Sequence, residues 1–342
     1  MNFMSDNVTG AAPEILAALI AANDGTAPSY GADDWTRRLT DRLSTLFERD
    51  VAVFPVATGT AANALALAAL TPPWGSIYCH AEAHIQMDEC GAPENFTGGA
   101  KLVPLAGDHG KIAPDTLSSA LDKVHKGFVH AVQPASLSLT QATEAGTIYT
   151  PDEVSALTAI ARHHGMRTHM DGARFANAVA SLGCAPADIT WRAGVDVLSF
   201  GATKNGALGA EAVVFFDREL SENFGYRRKR AAHLFSKMRF LSAQLDAYLD
   251  DGLWLRLAGH ANRMATRLAE GLTDLPGAAL AHPVDANELF VALPEPVIAG
   301  LEAAGFGFYR WDGNIVRLVT AWNSEEASVD ALLETARGLA GV

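Results

Sequence analysis

The chain has 342 residues, 49% hydrophobic and 19% charged, as in an ordinary soluble enzyme with one large domain and a smaller one. Its net charge of −13 argues against nucleic acid and anionic membrane surfaces as partners. No stretch is apolar enough to span a bilayer, MNFMSDNVTG lacks a secretory leader pattern, and three cysteines fit no metal spacing, so a reducing, cytoplasmic setting is expected.

Residues 1–10 read as an extended arm, and Pro13 opens a helix that ends near Gly25. Asp33 starts an amphipathic helix with Trp35, Leu39, Leu43, Leu46 and Phe47 on one face. Val51–Val56 is a predicted strand that enters the small-residue turn ATGTAAN and a second helix. Strands are predicted at Ser76–Cys79, Lys101–Pro104, Gly127–Gln133, Arg167–Met170, Val195–Phe200 and Ala212–Phe216. Helices are predicted at Pro114–Val124 and at Pro151–His164, the latter capped by Thr150. This alternation gives an α/β fold with a mainly parallel sheet. Beyond Phe216 a long helical region is expected over Ser221–Leu272, then a strand at Glu288–Leu293, a helix, a hairpin around Asp312-Gly313 and a terminal helix. The expected division is an arm and helix at 1–25, a large domain at 26–244 and a small α+β domain at 245–342. FGYRRKRAAHLFSKMR is the densest basic run, either a phosphate site or a solvated helix face.

The richest stretch is THMDGARFANAVASLG followed by DVLSFGATKNGALGAEAVVFF. One strand ends on Asp171, with Arg174 in the turn behind it, and the next delivers Lys204 in SFGATKNG. Between them lies room for one crossover helix and one more strand. A lone Asp here is ordinarily a helix cap, and a lone Lys a solvated residue. The small residues Gly201, Ala202, Gly206, Ala207 and Gly209 argue instead for close backbone approach to something planar. Pyridoxal 5'-phosphate suits the pair, since a lysine amine can capture its aldehyde and an acid can keep its pyridine nitrogen protonated. Two further features fit. Thr58-Gly59-Thr60 opens a helix at a strand end, where backbone N–H groups can hold a phosphate. Arg317, between Val316 and Leu318 in an apolar strand, could grip an α-carboxylate; the alternative is an outward-facing strand position.

MDGAR and SFGATKNG resemble the threonine aldolase / β-eliminating lyase family, and the resemblance runs from MSDNVTG to VRLVTAW. It is nearest to low-specificity L-threonine aldolases and phenylserine aldolases. It implies a fold-type I, aspartate aminotransferase-like large domain and retro-aldol cleavage of L-threonine, L-allo-threonine or phenylserine to glycine and an aldehyde. The alternatives are a β-eliminating lyase, or a non-catalytic binding protein on the same fold. The resemblance also assigns residues. Thr58 takes the serine's place in the family's phosphate turn, and His84, in AHI, stacks on the cofactor ring, with His80 unassigned. Arg174 reaches the ring hydroxyl and the substrate carboxylate, and Ser5 touches that carboxylate from an arm in which Met4 replaces the family's arginine. A histidine that faces substrate in many members is replaced by Thr143 in SLTQATEAG, while Gln141 could bond a ring substituent. HIQMDECGAP and SLTQATEAG look like the phenylserine-cleaving branch. Tyr30 and Arg239 lie in segments that cross to a neighbour's cofactor in the family, which implies a homo-oligomer, a dimer of dimers, with shared active sites.

Overall fold

A computed structural model describes residues 1–341. Seven strands form the large sheet: β1 (Ala52–Val56), β2 (Gly75–His80), β3 (Lys101–Leu105), β4 (Gln133–Thr140), β5 (Arg167–Gly172), β6 (Val197–Gly201) and β7 (Glu211–Phe215). Their spatial order is β1-β7-β6-β5-β4-β2-β3. Neighbours from β3 to β6 pair in parallel, and β7 runs antiparallel to both β6 and β1. Strands covered on both faces read as continuous apolar runs, and β2, β6 and β7 are buried at every position. The helix Pro151–His163 crosses from β4 to β5, started by a capping box in which Thr150 and Glu153 satisfy each other's backbone N–H.

The main core lies between this sheet and the flanking helices. Phe47 packs edge-on to Phe200 and Phe216, and Phe175 stacks on Trp254 with ring centroids 6.3 Å apart. A second sheet comprises β8 (Ala279–Leu280), β9 (Glu288–Ala292), β10 (Tyr309–Asp312) and β11 (Ile315–Val319), in the order β10-β11-β9-β8 and antiparallel throughout. Its inner face meets the helices Leu253–Thr273, Glu295–Ala303 and Glu326–Ala340 around Leu268, Leu272, Val291, Leu318 and Leu332.

Three expectations need correction. The predicted strand Gly127–Gln133 is instead an exposed turn region, with Val129 92% exposed, and β4 begins only at Gln133. The buried hydroxyls of β4 disguise it: Ser136 bonds Thr71 and Ser138 bonds His169. The long helix predicted over Ser221–Leu272 is three helices, Phe224–Arg230, Arg239–Leu249 and Leu253–Thr273. Left-handed backbone at Ala232, Asp251 and Gly252 interrupts it. The expected domain boundary near 245 falls inside a helix whose Leu241, Leu245 and Tyr248 belong to the large core. The two cores part between Ala258 and Met264, within one continuous helix. The arm is no separate unit either. Phe3 is buried in the small core, held by bonds from its N–H to Gly307 O and from Val319 N–H to its own carbonyl.

Candidate active site

The parallel neighbours β5 and β6 end side by side, on Asp171-Gly172 and on Phe200-Gly201. Their exits almost touch, since a Cβ on Gly201 would sit 2.6 Å from Ala173 O, so that position needs glycine. A 3₁₀ turn at Thr203–Asn205 follows and presents Lys204. Asn205 anchors the turn by donating to Tyr248 Oη (2.7 Å) and Trp254 O (2.9 Å). Gly206, at φ +102°, bends the chain away.

Lys204 and Asp171 face one cavity of about 260 Å³ that Thr58, Gly59, Thr60, His84 and Arg174 also line. Among the described residues, no carboxylate forms an ion pair with Lys204. Buried Asp171 accepts from Ala173 N–H through Oδ1 (3.0 Å) and from Asn63 Nδ2 through Oδ2 (2.7 Å). The chain of bonds continues from Asn63 Nδ2 to Glu89 Oε1 (2.8 Å), which is 2.9 Å from His84 Nδ1. The Glu89 bond raises the pKa of His84, against the opposing effect of burial. At the cavity's far end Thr58 caps the helix Gly59–Leu70, its Oγ1 accepting from Ala61 N–H (3.2 Å). The first turn of that helix thus presents its N–H groups to the cavity.

A second cavity, of about 660 Å³, adjoins the first, and Asn7, His84, Glu144, Arg174 and Lys204 line both. Ser5, Arg317, His282, Phe290, Tyr309 and Trp311 line this outer chamber. Arg317 projects from β11 away from the small core, paired with Glu288 and lying 5.8 Å from the ring centroids of both Tyr309 and Trp311. Arg174 differs. Its Nε and Nη2 donate to Asp6 (2.8 and 3.1 Å), and its Nη1 lies 3.2 Å from Glu288. Two of its five N–H groups are thus hydrogen-bonded to Asp6, which ties the arm to β5, while Arg174 still lines both cavities and keeps N–H groups that can reach a substrate carboxylate. Burial would raise the pKa of Asp6, but the Arg174 and Lys204 charges outweigh it and hold the carboxyl below its ordinary value.

Gln141 is corrected. It is fully buried, lines neither cavity, and its amide spans the backbone of Tyr149, donating to the carbonyl (2.8 Å) and accepting from the N–H (3.0 Å), so it does not reach a ring substituent. Thr143 turns inward to Thr147 Oγ1 and His109 O. His80 is satisfied by Gly107 O and Glu82 N–H. Tyr30, half exposed under Lys229, and Arg239, whose Nε is buried without a partner, both lie outside the chain's own cavities. In the basic run, Arg228 is buried against Phe54 and donates to Pro55 O, away from Lys204.

Sequence reasoning missed Asp6, Asn63, Glu89, Glu144 and Glu288. Asn63 left a signal, as the one amide in the otherwise apolar helix GTAANALALAAL. Glu144 left another, as the one acid in the stretch SLTQATEAG at the end of β4.

Residues 2–295 match the model of the beta-eliminating lyase family. The low specificity L-threonine aldolase of Pseudomonas aeruginosa is 47% identical over 98% of this chain and 96% of its own length. That of Pseudomonas sp. strain NCIMB 10558 is 45% identical over 98% and 97%. A solved Leishmania major threonine aldolase superposes with a TM-score of 0.93 at 30% identity, over 99% of both chains. Sphingomonas wittichii serine palmitoyltransferase shares the fold, with a TM-score of 0.72 at 17% identity over 100% of this chain and 88% of its own.

Proposed function

The chain belongs to the beta-eliminating lyase family, and from that premise we propose how its two cavities divide the work of a carbon–carbon lyase. It is an aldolase of the threonine aldolase type, cleaving β-hydroxy-α-amino acids to glycine and an aldehyde.

We assign pyridoxal 5'-phosphate to the inner cavity. The observation that carries this is the convergence of Lys204 and Asp171 from adjacent strand ends, opposite the open first turn of the helix Gly59–Leu70. When bound, the cofactor supplies an aldehyde that captures an amine and a ring that accepts an electron pair. Lys204 is the amine available for attachment. Asp171, held by Asn63 and Ala173, would pair with the ring nitrogen and keep it protonated. Thr58, Gly59 and Thr60 present N–H dipoles to the phosphate. His84 lies at the junction of the cavities with its ring fixed by Glu89, placed to cover one ring face.

The outer chamber takes the substrate. Arg317 and Ser5 face it and can fix the α-carboxylate, while Arg174 and Asp6 hold the arm that presents Ser5. Phe290, Trp311, Tyr309 and His282 give the chamber an aromatic wall, with Phe290 and Trp311 edge-to-face at 5.2 Å. That wall supports acceptance of an aromatic Cβ substituent, as in phenylserine. Cys79, Cys90 and Cys184 are all free, in keeping with a reducing, cytoplasmic setting.

The test is product analysis with threonine, allo-threonine and phenylserine in L and D forms. Glycine and the matching aldehyde are expected from the L forms, with phenylserine cleaved at least as efficiently as threonine. Ammonia and a keto acid as the main products would overturn the aldolase reading, and strong preference for threonine the aromatic one.

A further inference from the structure

Retro-aldol cleavage needs a base for the β-hydroxyl proton, and Thr143, turned into the protein toward Thr147 Oγ1, supplies none. One residue further on, Glu144 lines both cavities at the junction it shares with Lys204 and His84. Its Oε1 is pinned by His84 N–H (2.8 Å) and Thr140 Oγ1 (2.9 Å). Its Oε2 is shielded from solvent and has no hydrogen-bond partner. An unpartnered buried oxygen carries a desolvation cost that a bound hydroxyl would relieve.

Resting on the aldolase reading above, we propose that Glu144 is the catalytic acid–base residue that takes the proton of the substrate's β-hydroxyl through Oε2. The proton passes to the carboxylate, and the O–H pair becomes the second C=O bond of the departing aldehyde. The Cα–Cβ pair stays with Cα, which takes up one proton to become glycine. Glu144 then releases its own, so the reaction has no net proton change. His84 serves less well as this base, because its Nδ1 is tied to Glu89 and that bond favours the charged ring.

The surroundings keep Glu144 usable near neutrality. Burial first, and then the Asp171 charge, push its carboxyl up to about 7, where both protonation states are populated. Arg174, Lys204 and the titratable ring of His84 share the cavity lining with it, while Cys79, pushed up to about 12 chiefly by burial, and Tyr149, raised by burial, stay neutral.

Glu144→Gln tests this, since the amide oxygen can still accept from His84 N–H. In the holoenzyme, kcat for cleavage should fall ~10²–10⁴-fold. Exchange of a glycine α-proton for deuterium, which involves no β-hydroxyl, should stay within about tenfold, that is, within about 1.4 kcal/mol. The acidic limb of the cleavage pH profile near 7 should vanish. In infrared spectra of the protein, the carboxyl absorbance titrating near 7, to which Glu211 also contributes, should lose one group's intensity in the variant. Melting temperature and cofactor absorbance control for folding. Loss of both reactions together would make Glu144 a positioning residue only and overturn the proposal, as would loss of neither. Wild-type protein unable to exchange glycine would instead overturn the aldolase reading.

Discussion

At the scale of single residues, the site rests on two groups whose replacement should give different failures. Lys204 is the inner cavity's available amine, so Lys204→Ala should abolish turnover and leave no borohydride-trappable bond between protein and cofactor, as read by mass spectrometry of the denatured chain. A trapped adduct in this variant would sink the assignment. Asp171→Asn should keep some cofactor, because the carboxamide oxygen can still accept from Asn63, but an amide cannot stabilise a protonated ring nitrogen. Glycine formation should fall to a small fraction of wild type, and near-normal rates in a folded Asp171→Asn protein would contradict the role. These residues were legible because each stands at a strand exit among small residues, where side-chain chemistry is exposed to a ligand. Asp6 and Glu288 were not, because they act by pairing with groups far away in sequence, which spacing cannot reveal, and Glu89, although near His84, is tied to the site through Asn63 on the helix Gly59–Leu70. Arg174 was legible as a residue, but its two carboxylate partners were not, since they come from the arm and from β9.

At the scale of elements, sequence reading worked where hydrophobic pattern and turn chemistry agree, as at β5, β6 and the Thr150-capped helix. It failed at β4, whose inward positions are serines satisfied by buried partners. Ser138 Oγ lies 2.9 Å from His169 Nδ1, and Ser199 Oγ lies 2.9 Å from Nε2, so one imidazole stitches β4, β5 and β6. Ser138→Ala leaves one ring nitrogen buried without a partner and should cost about 1–3 kcal/mol in urea unfolding at pH 8. Burial holds the His169 pKa down to about 4, although the Asp171 charge opposes this. Between that value and the ordinary histidine value of 6.5, the unfolded chain binds a proton that the folded chain does not. The His169 contribution is therefore complete above pH 6.5 and is lost as pH falls toward 4. Buried Glu144 and Glu211, both raised to about 7, act with the opposite sign in an overlapping window. The informative quantity is thus the difference between His169→Gln and wild type, whose stability gap should narrow on acidification from pH 7 to 4. A gap that stays constant would mean that His169 binds its proton equally well in the folded and unfolded chain, contrary to a lowered pKa.

At the scale of the whole molecule, the inner cavity poses an electrostatic problem that one chain leaves unsolved. Four carboxylates line it, Glu89, Glu144, Asp171 and Glu211, against His84, Arg174 and Lys204. Arg174 pairs with Asp6 and Glu288, His84 pairs with Glu89, and Lys204 serves cofactor attachment, so among the described residues that line the cavity a dianionic phosphate beside Thr58 would meet helix dipoles and hydroxyls but no further cation. Arg239 stands at the start of the helix Arg239–Leu249 with its Nε buried and unpartnered, outside both cavities. Tyr30, in a left-handed backbone conformation, is half exposed and also outside them. We propose that the chain forms a homo-oligomer, at least a dimer and by the family resemblance a dimer of dimers, in which Arg239 and Tyr30 complete the partner's site. The prediction that follows concerns hybrids. Lys204→Ala and Arg239→Ala should each be inactive alone as pure proteins. Unfolded together and refolded, they should regain activity, because a mixed dimer contains one site with both residues intact and one with neither. About half the molecules in a random equimolar mixture are mixed dimers with one good site of two, so recovery should approach a quarter of wild-type activity. If Arg239 serves its own chain's cofactor, no site in the hybrid is complete and no activity returns. A fully active monomer in sedimentation at assay concentration would exclude the shared site outright.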